Sequence, residues 1–245
     1  MALSLIEWLK SEEFLQVKEK SPKEFVETTF FRNPLRNISI NDYMIKAPAD
    51  GVLLYQGRYK ANEKILEIKG KKYTIRDILM NGNIPKDKSF YVAGIYLTTF
   101  SVHLIRAVTK GVILNIEDLP PLLSNNYSMT PFEYGLIKGS INLRFMQFSF
   151  YNQRTVIKTY SNTLKTNIYY VLIADADVDR NLLFKKENEP FLQGERLAYV
   201  VFGSQCDILI EAKPWFRLRK LIPNLYYIYA GLDDLFQISL REAPV

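Results

Sequence analysis

The chain is sparing with residues that do acid–base or nucleophilic work, having one histidine, His103, and one cysteine, Cys206. Any imidazole chemistry is therefore forced onto His103, in the segment Gly94-Ile-Tyr-Leu-Thr-Thr-Phe-Ser-Val-His103-Leu-Ile-Arg106. Between Val102 and Leu104-Ile105 a lone histidine is more often a satisfied core residue than a proton donor, and its neighbours alone leave both readings open. Asp50 stands in Pro48-Ala-Asp-Gly51, where aspartate and glycine are favoured simply because they accept turn geometry. Gly203-Ser204 separates two strand-like runs, Leu197 to Phe202 and Cys206 to Ile210, and by itself reads as a bend or bulge. No Gly-x-Ser-x-Gly elbow, phosphate-cradling Gly-x-x-x-x-Gly-Lys or dinucleotide fingerprint is present. A single cysteine excludes an internal disulfide, and with a single histidine it leaves too few soft ligands for a zinc or iron–sulfur site, so no metal is expected.

The elements that would position these residues are mostly strands. From Lys46 onward, short runs of Ile, Val, Tyr and Phe are broken at close intervals by turn signals at Asp50-Gly51, Asn81-Gly-Asn83, Lys110-Gly111, Gln193-Gly194 and Ala230-Gly231. Residues 3 to 20 read as one or two short helices, because Leu5, Trp8 and Leu9 recur at helical spacing among Glu and Lys. Tyr73 to Met80 adds another, with Thr74 as N-cap and Ile75, Ile78 and Leu79 on one face. Pro120-Pro121 to Pro131 reads as an irregular loop. At 245 residues, 48% hydrophobic and 24% charged, the chain suits one globular unit. Its longest apolar runs fall short of the roughly 18 to 20 residues needed to span a bilayer, and its N-terminus lacks the pattern of a signal peptide, which predicts a cytoplasmic protein. A net charge of +6 favours anionic partners. The basic residues are spread out, as in Lys69 to Lys72 and Arg217 to Lys220, with no zinc finger or RNA-recognition signature, so nucleic acid is not expected.

Several segments, in order, resemble the shorter-chain branch of the phosphatidylserine decarboxylase family over residues 30 to about 240. Phe30-Phe31-Arg32-Asn33-Pro34-Leu35-Arg36 is similar to that branch's Phe-Phe-Arg-Asp-Pro-x-Arg entry, and Ala47-Pro48-Ala49-Asp50-Gly51 follows at the family's distance. Lys69-Gly70-Lys-Lys-Tyr73-Thr74-Ile75-x-x-Ile78-Leu79, Ile95-Tyr96-Leu97 with Val102-His103-Leu-Ile-Arg106, Asn152-Gln153-Arg154 and Leu172-Ile173-Ala174 each resemble a family segment. Gly194-Glu195-Arg196-Leu197-Ala198-Tyr199-Val200-Val201-Phe202-Gly203-Ser204-Gln205-Cys206-Asp207 resembles Gly-Glu-x-x-Gly-x-Ile-x-Phe-Gly-Ser-Arg-Val-Asp without a gap.

The resemblance implies an α+β, mainly β fold: a decarboxylase-like domain over 30–245, preceded by a helical segment over 1–29. It also implies a self-processing enzyme. Ser204 Oγ would attack the Gly203 carbonyl, splitting the chain into 1–203 and 204–245 and leaving a pyruvoyl group, the covalent cofactor, in place of Ser204. Its ketone would take up the serine amine of phosphatidylserine and accept the electrons released as carbon dioxide departs, giving phosphatidylethanolamine. By position in the family pattern, His103 is the candidate proton donor to the resulting carbanion and Asp50 the candidate helper at the cleavage site. The partners implied are a phospholipid substrate at an anionic membrane surface, reached peripherally, and a second copy of the chain in a homodimer. Leu3, Leu5, Ile6, Trp8 and Leu9 either dip into that interface or pack on their own domain. The chain departs from the pattern at Thr98-Thr99 (for Ser-Pro), Ser101 (for Asp), Val108 (for Pro), Gln153 (for Glu), Asp175 (for Gly) and Gln205. Arg106 stands where the longer branch has a second histidine. These departures carry the alternative of a non-catalytic relative that keeps the fold and binds lipid or acts structurally.

Overall fold

The structure, a computed structural model, describes residues 2–20, 22–25, 28–29, 32–176, 181–200 and 204–240, and only the backbone at 22, 25 and 204. Alternating apolar residues build a nine-stranded sheet in which every neighbouring pair is antiparallel. Its order is Leu3–Ser4, Tyr226–Ile228, Gly51–Lys60, Ser89–Leu97, Ser204–Glu211, Thr166–Ala174, Arg154–Ser161, Gly111–Leu119 and Pro190–Phe191. The Ser204–Glu211 strand is the fifth and central one, so its backbone is paired on both edges.

Each face of this sheet carries its own core, as the period of two along a strand requires. Cys206, Ile208 and Ile210 point to one face, where two three-stranded sheets supply Ile45, Phe216, Phe236, Leu197, Val200 and Ile105. On the other face Val52, Leu209 and Val171 meet short helices that contribute Trp8, Ile75, Ile78, Phe132 and Phe148. The expected α+β, mainly β class is therefore what forms, with helices confined to one side.

Thr74 caps the Ile75–Ile78 helix: its N–H and hydroxyl both donate to Asp77 Oδ2, at 2.8 and 2.7 Å, and Ile75 and Ile78 are fully buried. At the N-terminus, Ser4 and Ser11 cap the helices Leu5–Trp8 and Glu12–Lys18. Trp8 stacks on Tyr227 at 4.1 Å between ring centroids. Of the five apolar residues that could also read as a membrane anchor, Leu5 and Trp8 are buried and Leu3 and Leu9 pack partly against the core, leaving Ile6 exposed. All but Ile6 belong to the core. Burying an indole against a tyrosine face gains more than leaving it at a surface, and the Leu3–Ser4 strand ties the segment to the sheet edge. The boundary expected at 29/30 falls where residues 26, 27, 30 and 31 lie outside the described ones. The helices Thr130–Leu136 and Phe148–Tyr151 were not legible in the sequence, being short and rich in aromatic residues.

Candidate functional site

The residues singled out by the sequence converge on one end of the central sheet. Ser204 opens its strand there, paired with Leu97 on one side and Ala174 on the other; Gly203 lies outside the described residues. Leu97 ends its strand and leads through Thr98–Val102 to His103. The His103 carbonyl accepts a hydrogen bond from Val200 N at 3.0 Å, and Val200 is four residues ahead of Ser204. Four extended residues reach at most ~14 Å, so with that bond the His103 carbonyl lies within roughly 17 Å of the Ser204 backbone.

His103 is fully buried, and its pKa is pushed down to about 3, first by desolvation and then by the Arg32 cation, against a hydrogen bond with the Ser101 backbone that works the other way. The ring is neutral at physiological pH. A neutral imidazole in a dry site passes a proton without the cost of holding a charge beforehand, but only if a proton is present on the nitrogen that faces the reacting atom.

Asp50 is held from three directions. Arg36 donates Nη1 and Nη2 to its two carboxylate oxygens, both at 2.6 Å, and Ala230 N donates to Oδ1 at 2.8 Å. Both side chains are almost wholly out of water. Burial opposes the Arg36 cation, yet Asp50 outweighs it and holds the guanidinium above its usual range. The turn is fixed by Gly51, because a Cβ there would stand 2.2 Å from the Tyr96 carbonyl oxygen, and by Arg106 N, which donates to the Pro48 carbonyl at 2.7 Å.

Tyr227 links the two groups. Its hydroxyl donates to Ser101 Oγ at 3.2 Å, and its pKa is raised by burial and by the nearby Asp50 charge. The structure thus brings Asp50, Tyr227, Ser101 and His103 into one buried cluster, clamped by the two arginines of the Phe30 to Arg36 segment: Arg36 on Asp50, and Arg32 on the Phe100 carbonyl at 2.6 Å. Sequence reasoning gave neither arginine a role. The signal was their Arg-x-x-x-Arg spacing inside a segment already singled out, and nothing in the sequence alone says where such a segment docks.

Beside Ser204, a cleft of about 250 Å³ is lined by Asp118, Gln153, Arg154, Thr155, Ala174 and Asn181. Its rim is ordered by side-chain bonds: Asn181 Nδ2 to Thr155 Oγ1 at 2.8 Å, and Thr155 Oγ1 to Asp118 Oδ1 at 2.6 Å. On the opposite face of the Ser204–Glu211 strand, Asp207 accepts from Tyr55 and Gln205. Burial raises its pKa to about 7, held back by those bonds and by Arg154.

Comparisons with known proteins bear on the family. The family model described as phosphatidylserine decarboxylase matches residues 24–231. The chain is 27% identical over 184 residues to a phosphatidylserine decarboxylase proenzyme of Cytophaga hutchinsonii, covering 74% of this chain and 64% of that one. It is 24% identical over 208 residues to the proenzyme of Ralstonia pickettii, covering 83% and 77%. With the proenzyme of Rickettsia akari it shares 26% identity over 185 residues, covering 75% and 64%. The match thus spans slightly less than two thirds of two of these relatives. On the extent of the family match, the chain belongs to the phosphatidylserine decarboxylase family.

Proposed function

We propose that the protein is a proenzyme that cuts itself between Gly203 and Ser204 and then decarboxylates phosphatidylserine, or a related serine-headgroup lipid, to the ethanolamine form. The observation that carries this reading is the position of Ser204. It opens a strand held on both edges, next to a polar cleft and to the chain segment bonded to His103. A residue that must be cut from its predecessor and still keep its place needs such pairing, because the new terminus would otherwise fray.

In the cleavage, Ser204 Oγ forms a bond to the Gly203 carbonyl carbon as the peptide C–N bond breaks, giving an ester. Loss of the residue-204 α-proton expels the Gly203 carboxylate. Water then enters and ammonia leaves, which yields the pyruvoyl group at the head of 204–245. When present, that ketone supplies an electron sink for decarboxylation. The chain's own residues do the rest. The cleft beside Ala174 has a size and polarity that fit a serine headgroup, with Asn181 and Gln153 as hydrogen-bonding groups. His103 is the proton donor to the α-carbon after carbon dioxide leaves, in an enclosure that slows proton exchange with water. Asp50, fixed by Arg36 and the Ala230 N–H, stands near the cleavage end.

Intact mass under denaturing conditions tests the reading. Wild-type protein is expected as two fragments split between 203 and 204, the smaller carrying a ketone that cyanoborohydride with an amine traps, and Ser204→Ala as one full-length species. A single species for wild type overturns it. That outcome favours the second reading, a family member that binds lipid without catalysis, for which the departures at Ser101 and Gln205, beside the two reacting positions, are the supporting observation.

A further inference from the structure

A basic, partly apolar face lies at the same end of the molecule as Ser204. The hairpin of Leu66–Ile68 and Lys71–Tyr73 turns at Lys69-Gly70, and Lys69, Lys71 and Lys72 are all exposed. Two clefts flank it. One, of about 450 Å³, has Lys71, Lys72 and Arg76 facing Phe150, Tyr151 and Leu122. The other, of about 480 Å³, is lined by Lys69 and Arg144 with Asn142 and Glu67. The two carboxylates of these clefts are already engaged: Glu67 pairs with Lys64 at 3.2 Å, and Asp77 accepts from Thr74.

Leu122 and Leu123, 62% and 45% exposed, follow directly on Pro120-Pro121. Leu122 N donates to the Tyr151 carbonyl at 2.8 Å. The same short stretch, Pro120 on one strand end and Gln153 on the next, lines the cleft beside Ser204. The basic cleft and the cleft at Ser204 are therefore separated only by the segments 120–122 and 150–153.

We infer that this face docks on an anionic phospholipid surface, with Lys69, Lys71, Lys72, Arg76 and Arg144 meeting the headgroup phosphates and Leu122-Leu123 entering the interface, so that the Ser204 end of the sheet faces the bilayer. Cations on either side of one hairpin, three of them sharing a cleft with the exposed Leu122, match the charge and layering of such a surface. A soluble polyanion would match the charge and leave the leucines in water. The choice of a lipid surface rests in part on the function proposed above.

The test is co-sedimentation of the full chain with vesicles of phosphatidylcholine containing one third phosphatidylglycerol, which carry no serine headgroup. Wild type is expected to bind these and not vesicles of phosphatidylcholine alone. The triple variant Lys69→Gln/Lys71→Gln/Lys72→Gln is expected to bind on the order of a hundredfold more weakly, from roughly a factor of five per lost cation. A control triple with the same charge change, Arg58→Gln/Lys213→Gln/Arg217→Gln, neutralises the basic cleft at the opposite end of the sheet and is expected to bind within about threefold of wild type. Leu122→Ser/Leu123→Ser is expected to weaken binding and to leave what remains more sensitive to salt. Equal loss in both triples, no wild-type binding, or capture of single-stranded DNA in place of vesicles overturns the inference. The intact masses of the same samples keep the two ideas apart. Cleaved protein that ignores vesicles defeats the docking face alone; uncleaved protein that binds through the hairpin defeats only the proposed processing.

Discussion

Replacing Arg36 with methionine isolates the interaction that anchors the Asp50 turn. Methionine keeps most of the volume and removes two charge-assisted hydrogen bonds to Asp50 and one to the Ala230 carbonyl. It leaves a carboxylate with 0% exposure supported by Ala230 N alone. At ~1.5–3 kcal/mol for each charge-assisted bond, the two lost to Asp50 amount to about 3–6 kcal/mol, which agrees with the ~3–5 kcal/mol typical of truncating one member of a buried ion pair. For a chain of this size that is a fall in Tm of about 6–20 °C. Asp50→Asn strands the guanidinium in the same way. The double variant Arg36→Met/Asp50→Asn leaves no buried charge and is expected to be more stable than the sum of the single losses predicts, by at least ~2 kcal/mol. Urea unfolding followed by far-UV circular dichroism, with the four proteins at one pH, measures the cycle. A loss under ~1 kcal/mol for Arg36→Met, or strict additivity in the double variant, refutes the claim that this pair pins the turn.

Other consequences are as specific. The folded chain refuses a proton at His103 down to about pH 3, whereas an unfolded histidine takes one near ~6.5, so this group lowers stability as pH falls through that window. Asp207 acts oppositely: it keeps its proton up to about pH 7 when folded and loses it near ~3.9 when unfolded, so it lowers stability as pH rises. Between pH ~4 and ~6.5 the two slopes cancel; Asp207→Asn should uncover a loss of ~1.4 kcal/mol per unit of acidification and His103→Gln a gain of similar size, and urea midpoints with equal pH slopes in all three proteins would disprove the pairing. Gly51→Ala places a Cβ against the Tyr96 carbonyl, and the expected result is a loss of at least ~3 kcal/mol or insoluble expression. Thr99→Pro deletes both donors to Glu133, each at 2.7 Å, and should cost ~2–4 kcal/mol in the same assay; a neutral outcome would mean that the contact is not made.

The β class, the capped helix at Thr74 and the turn at Asp50-Gly51 were legible because each has a local cause: alternation, a side chain that reaches its own backbone, a glycine where a Cβ does not fit. The clamp of Arg36 on Asp50 was not, since it joins residues of two segments through a sheet edge, and an arginine in a Pro-containing stretch has many places to go. The helices between Thr130 and Tyr151 were hidden for another reason. Phe132, Phe148 and Met146 are buried because strands far away in sequence supply Tyr96 and Val171 beneath them, and that platform has no signature in the helices' own short repeats. The N-terminal apolar cluster was ambiguous until the position of Tyr227 decided it.

Each departure from the family pattern has its own bonded partner in the structure. Thr99 stands where a proline is usual, and its N–H, which proline lacks, goes to Glu133. Val108 also replaces a proline, and its N–H is taken by the Tyr170 hydroxyl at 2.9 Å. Ser101 replaces an aspartate and is bonded by Thr98 and Tyr227. Gln205, next to Ser204, bonds both Tyr55 and Asp207. A buried donor left without an acceptor costs ~1–3 kcal/mol, so a random change from proline at the buried Val108 and the half-buried Thr99 would be penalised at both; here each new donor has a specific acceptor from another element. Changes that bring their own partners leave the scaffold as fully bonded as the family's pattern would. The same pairing predicts that reverting one member alone, such as Val108→Pro with Tyr170 retained, strands a buried hydroxyl and destabilises the fold, while Val108→Pro with Tyr170→Phe recovers part of the loss.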